Sequence, residues 1–303
     1  MAIDEMPENT MDMQYEVSLE NRITDAEFSQ LQKYIHRNVG IYLSPQKRGL
    51  LIGRLQKLLR EKRFENFDAY YHYLLADRSG NALNDLINRI STNFTFFWRE
   101  PAHFDFMVQK VLPELTAQLR SNKEYDIRLW CAAAATGEEP YMLAILLREF
   151  LSQSANPSGW LAGVLATDVS QTALEQAKEG LYPVKSLEKL PQKYLQYFTV
   201  ASGDGLWRVK DSIRHEVTFR RFNLMHPLPF KKKFHIIFCR NVMIYFDKAT
   251  KASLVQRLYD GMVPGGYLFV GHSETLDRKR TPFSFVMPAV YRKPLMDDEG
   301  GER

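Results

Sequence analysis

Cysteine is scarce in this sequence, with only Cys131 and Cys239 among its 303 residues. Two isolated cysteines exclude a disulfide-rich secreted protein, give no metal-site signature and are typical of a reducing compartment. Apolar runs as long as the roughly 20 residues of a membrane-spanning helix are also missing. The N-terminus lacks the basic and apolar regions of a signal peptide. We therefore expect a cytoplasmic protein that holds no metal and does not insert into membranes.

A second absence is the glycine-rich GxGxxG fingerprint of dinucleotide-binding folds. The segment that comes nearest to it, Ala132–Tyr141, contains a single glycine, Gly137. Its small residues still let a backbone approach a ligand closely. The missing glycines nevertheless argue against a nicotinamide-dependent dehydrogenase.

Basic residues are missing from the first 20 positions, which hold six acidic residues. Because the whole chain has a formal net charge of +4, removing these six negative charges leaves +10 for the rest. Net charge of this kind bears on partners and solubility rather than on the fold. We expect residues 1–20 to be a disordered acidic leader, and residues 296–303 to be a disordered tail.

The pattern of residues 21–97 predicts an all-α N-terminal domain. Thr24 and Glu27 have the spacing of a capping box at a helix start. Pro45 opens a second helix, expected to run from Gln46 to Arg63. Further helices are expected at 68–75 and 81–90.

Four basic residues recur every third position of the predicted helix 46–63, opposite its apolar face. A solvated outer face is one interpretation. A docking surface for an acidic partner is the other, because only Glu61 opposes the positive charge within the helix. The sequence leaves both open for these residues, which are Arg54, Lys57, Arg60 and Arg63.

From about residue 126 strands and helices alternate, which is typical of an α/β fold with a parallel sheet. The expected strands are 126–133, 160–168, 234–240 and 266–272, and the expected helices are 138–151, 171–179 and 248–262. An irregular insertion at 181–222 is expected to hold short strands at 206–209 and 217–220. Pro264–Gly266 predicts a turn before a strand, and 283–287 with 289–293 predicts a closing hairpin.

Three of these strands end in polar residues where ligands bind in open α/β sheets. The apolar run Phe234–Ile237 leads into Arg240, Asn241 and Tyr245. A second strand ends at Asp168, which can bind ribose hydroxyl groups or simply cap the following helix. The first strand leads into a helix that opens with Glu138-Glu139-Pro140. A ligand site at this edge of the sheet is therefore expected.

Taken together, these segments resemble those of the chemotaxis receptor glutamate methyltransferases, the CheR family, which use S-adenosylmethionine. The matching motifs stand in the family order and cover nearly the whole chain: Thr92–Glu100, Ala134–Tyr141, Ala166–Asp168, Phe222–Leu224, Cys239–Asp247 and Gly271–Glu274. The resemblance implies a Rossmann-like S-adenosylmethionine-dependent methyltransferase domain at 98–295. It also implies a small antiparallel β subdomain at about 181–222, with the all-α domain in front.

The resemblance implies roles for individual residues as well. Arg99 and Tyr245 are the expected catalytic residues, with Tyr245 near the transferred methyl group. Asn223 and Leu224 are expected to flank the adenine. The full expected set of cofactor contacts is Asn93, Thr95, Arg99, Glu139, Asp168, Asn223, Leu224, Cys239 and Arg240.

The implied reaction is methyl transfer from S-adenosylmethionine to glutamate side chains in the cytoplasmic helical domain of membrane chemoreceptors. The products are glutamyl methyl esters and S-adenosylhomocysteine. A glutamate is ionised near neutral pH, since its reference pKa is about 4.3, so it needs no general base. The site is therefore expected mainly to orient and desolvate the reactants. Receptor docking would use the four basic residues of the helix 46–63.

Some family members grip a receptor tail with the small β subdomain. The turn Ala201–Gly205 is shorter here than in those members. We therefore expect methylation that does not depend on a C-terminal receptor pentapeptide.

Two alternative functions fit parts of the sequence. The net positive charge of the chain is compatible with an RNA methyltransferase. However, the basic residues are spread along the chain and form no RNA-binding motif, so no nucleic-acid partner is expected. A cofactor-binding signalling module without activity is the other alternative. The presence of Arg99, Asp168, Arg240 and Tyr245 argues against it.

Overall fold

The computed structural model describes residues 23–201 and 205–295. The predicted acidic leader, the predicted tail and the centre of the turn Ala201–Gly205 lie outside these described residues. None of the helices in the described ranges is long and apolar enough to cross a membrane.

The chain divides into two compact units. Among the described residues, the first unit contains 23–38 and Tyr42–Ile90, and the second contains Val39–Ile41, 91–201 and 205–295. The domain boundaries drawn from the sequence, at residues 20, 97 and 295, stay predictions.

The first unit is helical, as predicted. Its helices are α1 (Asp25–Val39), α2 (Arg48–Glu61), α3 (Phe67–Ala76) and α4 (Asn81–Ile90), with a 3₁₀ turn at Pro45–Lys47. The capping box forms at the start of α1, where the Thr24 backbone N–H donates to Glu27 Oε2 at 2.7 Å and the Glu27 N–H donates to Thr24 Oγ1 at 3.2 Å. The apolar faces of these helices make a core that includes Leu31, Ile35, Leu51, Leu55, Tyr70 and Leu86.

The second unit is built on a seven-stranded sheet in the order β6-β2-β1-β7-β8-β10-β9. The strands are β1 (Asp126–Cys131), β2 (Leu161–Asp168), β6 (Val217–Arg221), β7 (Phe234–Cys239), β8 (Met262–Val270), β9 (Ser284–Met287) and β10 (Val290–Arg292). The first five in spatial order are parallel, and β10 and β9 form the predicted antiparallel hairpin. The α/β class is therefore confirmed.

The helices of this unit connect the strands. They are α5 (Pro101–Phe106), which continues through a π-helical segment Met107–Val111 into α6 (Leu112–Ser121), then α7 (Glu138–Ser152), α8 (Gln171–Glu179), α9 (Asp211–Arg214) and α10 (Lys248–Asp260). The strand β7 is buried at every position, because helices cover both faces of a parallel sheet.

A separate three-stranded sheet has the order β3-β5-β4, with β3 (Leu181–Pro183), β4 (Phe198–Val200) and β5 (Leu206–Val209). The predicted strand 217–220 exists, but placing it in this insertion was wrong. It is β6, which pairs in parallel with β2, so that Val217 lies opposite Val164 and Arg221 opposite Asp168. Strand partners far apart in sequence are not specified by local periodicity, which explains the difference.

The predicted turn at Pro264–Gly266 lies inside β8 rather than before it. Between Phe234 and Ile236 of β7, the paired positions on β8 advance from Met262 to Tyr267. The intervening residues bulge out of the ladder, and Gly265 has a positive φ of 76°. A bulge accommodates a proline, which has no N–H to give to the ladder.

Candidate functional site

The carboxyl ends of β2, β1 and β7 lie side by side, and the loop Ala132–Gly137 after β1 joins them. The Ala132 N–H donates to the Phe238 carbonyl at 2.7 Å, and the Ala134 N–H donates to the Thr167 carbonyl at 2.9 Å. Gly137 ends the loop with a φ of 99°. A Cβ at Gly137 would lie 2.8 Å from both Ala177 Cβ and Tyr182 Oη, so only glycine fits there.

Asp168 at the end of β2 holds this loop. Its Oδ2 accepts the Ala135 N–H at 2.8 Å, and its Oδ1 accepts the Ser170 N–H at 2.9 Å. Burial raises the pKa of Asp168, and these backbone hydrogen bonds oppose that rise. The cap of α8 is Ser170, which accepts the Ala173 N–H at 3.1 Å. The capping alternative for Asp168 is thus wrong, and its oxygens keep lone pairs for ligand hydroxyl groups.

Arg240, immediately after β7, is the charged centre of the site and only 4% exposed. Its guanidinium forms ion pairs with Glu139 of α7 and with Glu100 Oε2, the latter at 2.9 Å. It also donates to the Arg99 carbonyl at 2.7 Å. Its Nε is buried without a partner among the described residues. A guanidinium fixed by two carboxylates presents its remaining N–H in a defined direction.

Both cysteines are buried near the site. Cys131 Sγ donates to Glu139 Oε1 at 3.2 Å. Burial raises the pKa of the Cys131 and Cys239 thiols well above the ordinary value, and nearby glutamates raise it further. Neutral buried thiols are poor nucleophiles, so neither cysteine is suited to act as one.

Glu274 organises the loop after β7 and is 1% exposed. Its Oε2 accepts the N–H groups of Asn241 and Gly271, both at 2.7 Å. Its Oε1 accepts the Ile244 N–H at 3.1 Å. The short 3₁₀ turn that carries the half-buried Tyr245 is thereby fixed. Glu274 was expected only as part of the matching motif Gly271–Glu274, and this role was not predicted.

Glu100 was missed as well, although it follows the predicted Arg99 directly. Its φ is 58°, and its Oε2 accepts the His272 N–H at 3.2 Å. Burial favours the neutral form, but the charge of Arg240 and hydrogen bonds outweigh it, so the pKa of Glu100 is lowered.

His103 of α5 lies against Glu100, with 3.5 Å between its Nδ1 and Glu100 Oε2. Burial, and then the charge of Arg240, lower the pKa of His103 to about 3. The imidazole is therefore neutral near pH 7. Glu100 caps the same helix, but Arg240 follows β7 far away in the sequence, so no local pattern marks His103 as part of this cluster.

The remaining predicted cofactor contacts lie on the segment 93–99 and just after β6. Arg99 is half-buried and donates to the Phe94 carbonyl at 3.0 Å. Asn223 follows β6, and its Oδ1 accepts the Met225 N–H at 3.0 Å. Leu224 is buried, and Asn93 and Thr95 are half-buried. Glu139 thus contacts Arg240 directly, and Asp168 contacts the loop after β1 that leads to Glu139.

The four predicted docking residues belong to the first unit and do not form one exposed stripe. Arg54 is half-buried and donates to the Ile90 carbonyl at the end of α4. Lys57 lies 3.7 Å from Glu61, Arg60 is exposed, and Arg63 lies beyond the end of α2 with a φ of 56°. Residues three positions apart lie 300° apart around a helix, which is 60° less than a full turn. Each further basic residue is therefore rotated by another 60° in the same direction, so the first and last of the series lie on different sides of the helix.

Comparison with known proteins adds independent information. The family model described as "CheR methyltransferase, SAM binding domain" matches residues 93–291. The model described as "CheR methyltransferase, all-alpha domain" matches residues 26–91.

Curated relatives match along almost their whole length. A chemotaxis protein methyltransferase of Borreliella burgdorferi is 40% identical over 282 residues, which cover 92% of this chain and 98% of that protein. Proteins of the same name are 36% identical over 277 residues in Salmonella typhimurium, covering 89% of this chain and 90% of the relative. In Escherichia coli the identity is 35% over 275 residues, covering 89% and 91%.

Proposed function

This chain belongs to the CheR methyltransferase family, and we propose from that membership that it methylates glutamate side chains of chemoreceptors with S-adenosylmethionine. The products are glutamyl methyl esters and S-adenosylhomocysteine. The proposal rests on the match of both family models, which together span nearly all described residues. It is supported by the charged site that the strand ends of this chain form.

The residues at the site fit this cofactor. Gly137 lets the backbone of the β1 loop approach a ligand, and Asp168 offers lone pairs to hydroxyl groups. The buried Nε of Arg240 has no partner among the described residues and is available as a donor. S-adenosylmethionine would supply a methyl group bound to a positively charged sulfur, and this sulfur becomes a neutral thioether when the methyl group is transferred.

The chain's own contribution to the reaction is positioning. A glutamate carboxylate attacks the methyl carbon in line with the bond to sulfur, and no proton moves because the acceptor is already ionised. The acceptor loses its negative charge as the sulfonium loses its positive charge, so exclusion of water favours the reaction. A rigid ion-pair network around Arg240 suits this task, since alignment alone contributes roughly 7–11 kcal/mol at best.

We assign the cofactor contacts as the family resemblance implies. Asp168 binds the ribose, and Asn223 and Leu224 flank the adenine. Glu139, Cys239 and Arg240 line the pocket at the strand ends, while Asn93, Thr95 and Arg99 approach it from the link 93–99. Arg99 and Tyr245 orient the acceptor. The Glu274 contacts that fix the Tyr245 turn support this last assignment.

The decisive experiment combines the full-length protein, radiolabelled S-adenosylmethionine and receptor-containing membranes. We expect label on the receptor that mild base releases, as carboxyl methyl esters do. Asp168→Ala should reduce labelling, whereas Glu188→Gln, at an exposed position, is the matched control and should label normally. Label found only in RNA, or base-stable label on protein, would reject the proposal.

The proposed partner is the cytoplasmic helical domain of a membrane chemoreceptor, which places the enzyme in the cytoplasm. Lys57, Arg60 and Arg63 are exposed and can attract the acidic surroundings of the target glutamates. Arg54 contributes less to docking, because its guanidinium already binds the Ile90 carbonyl.

Methylation is proposed to be independent of a C-terminal receptor pentapeptide. The strands β4 and β5 of the small sheet are joined by only five residues, 201–205. The Ala201 N–H donates to the Leu206 carbonyl at 2.8 Å, which closes the hairpin at its described end. A short closed hairpin offers little extra strand edge for peptide addition.

A further inference from the structure

We propose that Glu100, His103 and His272 form a binding site for a transition-metal ion of the zinc class, and that an ion bound there inhibits the enzyme. The site is distinct from the methyl-transfer chemistry, which needs no metal. The inhibitory part of the proposal rests on the proposed function, whereas metal binding itself does not.

The three side chains present donor atoms close together. One donor atom from each residue can be chosen so that all lie within 4.8 Å of one another. His103 Nδ1 lies 3.5 Å and His272 Nε2 lies 3.9 Å from Glu100 Oε2. Tetrahedral zinc with ligand bonds of about 2.0–2.2 Å needs donor atoms roughly 3.3–3.6 Å apart. The His272 side chain is 52% exposed, so it can move the short distance required.

His103 gives an independent indication of a ligand. It is fully buried, yet neither ring nitrogen has a hydrogen-bond partner among the described residues. Buried polar side chains are normally paired, because an unpaired one costs roughly 1–3 kcal/mol. The neutral imidazole has a free lone pair, and a metal ion would use it. No other buried histidine in the described ranges has both ring nitrogens unpaired.

Charges of both signs surround the site. Arg240 carries one positive charge, whereas Glu100 and Glu139 on either side of it carry two negative charges. The carboxylate of Glu274 lies nearby on the N–H groups of Asn241 and Gly271. At His103 the charge of Arg240 acts more strongly than that of Glu100, so the bonds to the three ligand atoms, rather than the surrounding charge, would hold the ion. Two imidazole nitrogens and one carboxylate oxygen suit Zn²⁺, Co²⁺ or Ni²⁺ better than Mg²⁺ or Ca²⁺.

Inhibition follows from the shared oxygen. Glu100 Oε2 pairs with Arg240 at 2.9 Å and is also the oxygen nearest to both histidines. A metal on this oxygen weakens one of the two ion pairs that hold Arg240. Because Arg240 also donates to the Arg99 carbonyl, its displacement disturbs two proposed cofactor-site residues together.

The test begins with metal alone, without cofactor or receptor. Full-length protein is titrated with Zn²⁺ by calorimetry and with Co²⁺ by visible absorption. We expect one ion per chain and a Co²⁺ spectrum of tetrahedral type. His272→Ala and Glu100→Gln should each weaken binding at least tenfold. His215→Ala, an exposed histidine elsewhere in this unit, is the control and should bind as the wild type does.

The second step measures S-adenosylmethionine affinity with and without saturating Zn²⁺. We expect the wild type to lose at least tenfold in affinity and His272→Ala to lose much less. Unchanged metal binding in both His272→Ala and Glu100→Gln would overturn the site. Tight metal binding that leaves cofactor affinity intact would overturn the inhibition. Both readouts are independent of which acceptor is methylated, so failure of the proposed function gives a different result.

Discussion

The buried carboxylate of Glu274 links two loops at the strand ends, and we predict that Glu274→Gln lowers both stability and cofactor affinity. In the wild type, Oε2 accepts two backbone N–H groups, from Asn241 and Gly271, and Oε1 accepts the one from Ile244. Glutamine keeps one of these oxygens and replaces the other with an amide nitrogen, which donates and does not accept.

The size of the effect follows from these contacts. If the amide oxygen takes the place of Oε2, only the Ile244 N–H loses its acceptor. A hydrogen bond to a charged group contributes roughly 1.5–3 kcal/mol, and the two retained bonds weaken because the acceptor becomes neutral. We expect a loss of about 2–4 kcal/mol in the free energy of unfolding. In a domain of this size that lowers Tm by roughly 5–15 °C. Glu274→Ala, which removes both acceptors, should lose more.

Thermal unfolding followed by circular dichroism and calorimetric titration with S-adenosylmethionine test this together. Cofactor affinity should fall because the segment 240–245, which Glu274 fixes, carries Arg240 and Tyr245. The exposed Glu188→Gln variant should stay within about 0.5 kcal/mol of the wild type. A Glu274→Gln protein that melts and binds cofactor as the wild type does would refute the reasoning.

The remaining predictions concern the cofactor, the partner and pH. Asp168→Ala should weaken S-adenosylmethionine binding by about 1–3 kcal/mol through loss of ribose hydrogen bonds, and an unchanged calorimetric affinity in a folded variant would remove Asp168 from the site. Reversing Lys57 and Arg60 to Glu should slow receptor methylation in low salt while leaving folding and cofactor affinity intact, with a smaller relative loss in high salt; a wild-type rate in low salt would mean that these residues are only a solvated face. A C-terminal receptor pentapeptide should show no tight binding by calorimetry, and micromolar binding would contradict the expected tail independence. Burial, and then the charge of Arg128, lower the pKa of His235 to about 4. In the unfolded chain the pKa of this histidine is near 6.5, so below that pH the unfolded state binds more protons than the folded state. The free energy of unfolding therefore falls as the pH drops from about 6.5 to about 4, by up to about 3 kcal/mol. His103, whose pKa is lowered to about 3, contributes to the same fall. His235→Gln should therefore make denaturant-measured stability less steep across this window without flattening it, and an equally steep curve would exclude His235 as a source.

Much of the sheet could be predicted from the sequence because its strands are apolar runs with clear ends. The expected strand 160–168 and the observed Leu161–Asp168 nearly coincide, and the helix 171–179 has the observed bounds. The position of β6 could not be predicted in the same way. Its pattern specifies a strand, but its partner β2 is chosen by packing between residues about 50 positions apart.

The site shows the same division between local and non-local information. Asp168 and Arg240 stand at strand ends, so position alone marked them as candidates. Glu139 was predicted from the family resemblance, whereas Glu100 was not. The ion pairs of both residues with Arg240 join positions more than 100 apart, so no local pattern could predict them. The partial burial of Arg54 could not be predicted for a related reason, since the Ile90 carbonyl that its guanidinium binds belongs to another helix.

The network around Arg240 is better explained by function than by stability. Removing a guanidinium and its carboxylates from water costs several kcal/mol per ion, and well-packed apolar residues of similar volume are often as stable or more so. Arg240 nevertheless stands almost fully buried between Glu100 and Glu139, with its Nε unpaired among the described residues. An apolar core could not present that donor, nor hold the Arg99 carbonyl on the other side. The burial of these charges therefore indicates a site arranged in advance for a charged ligand, in which every partner of Arg240 helps to set its direction.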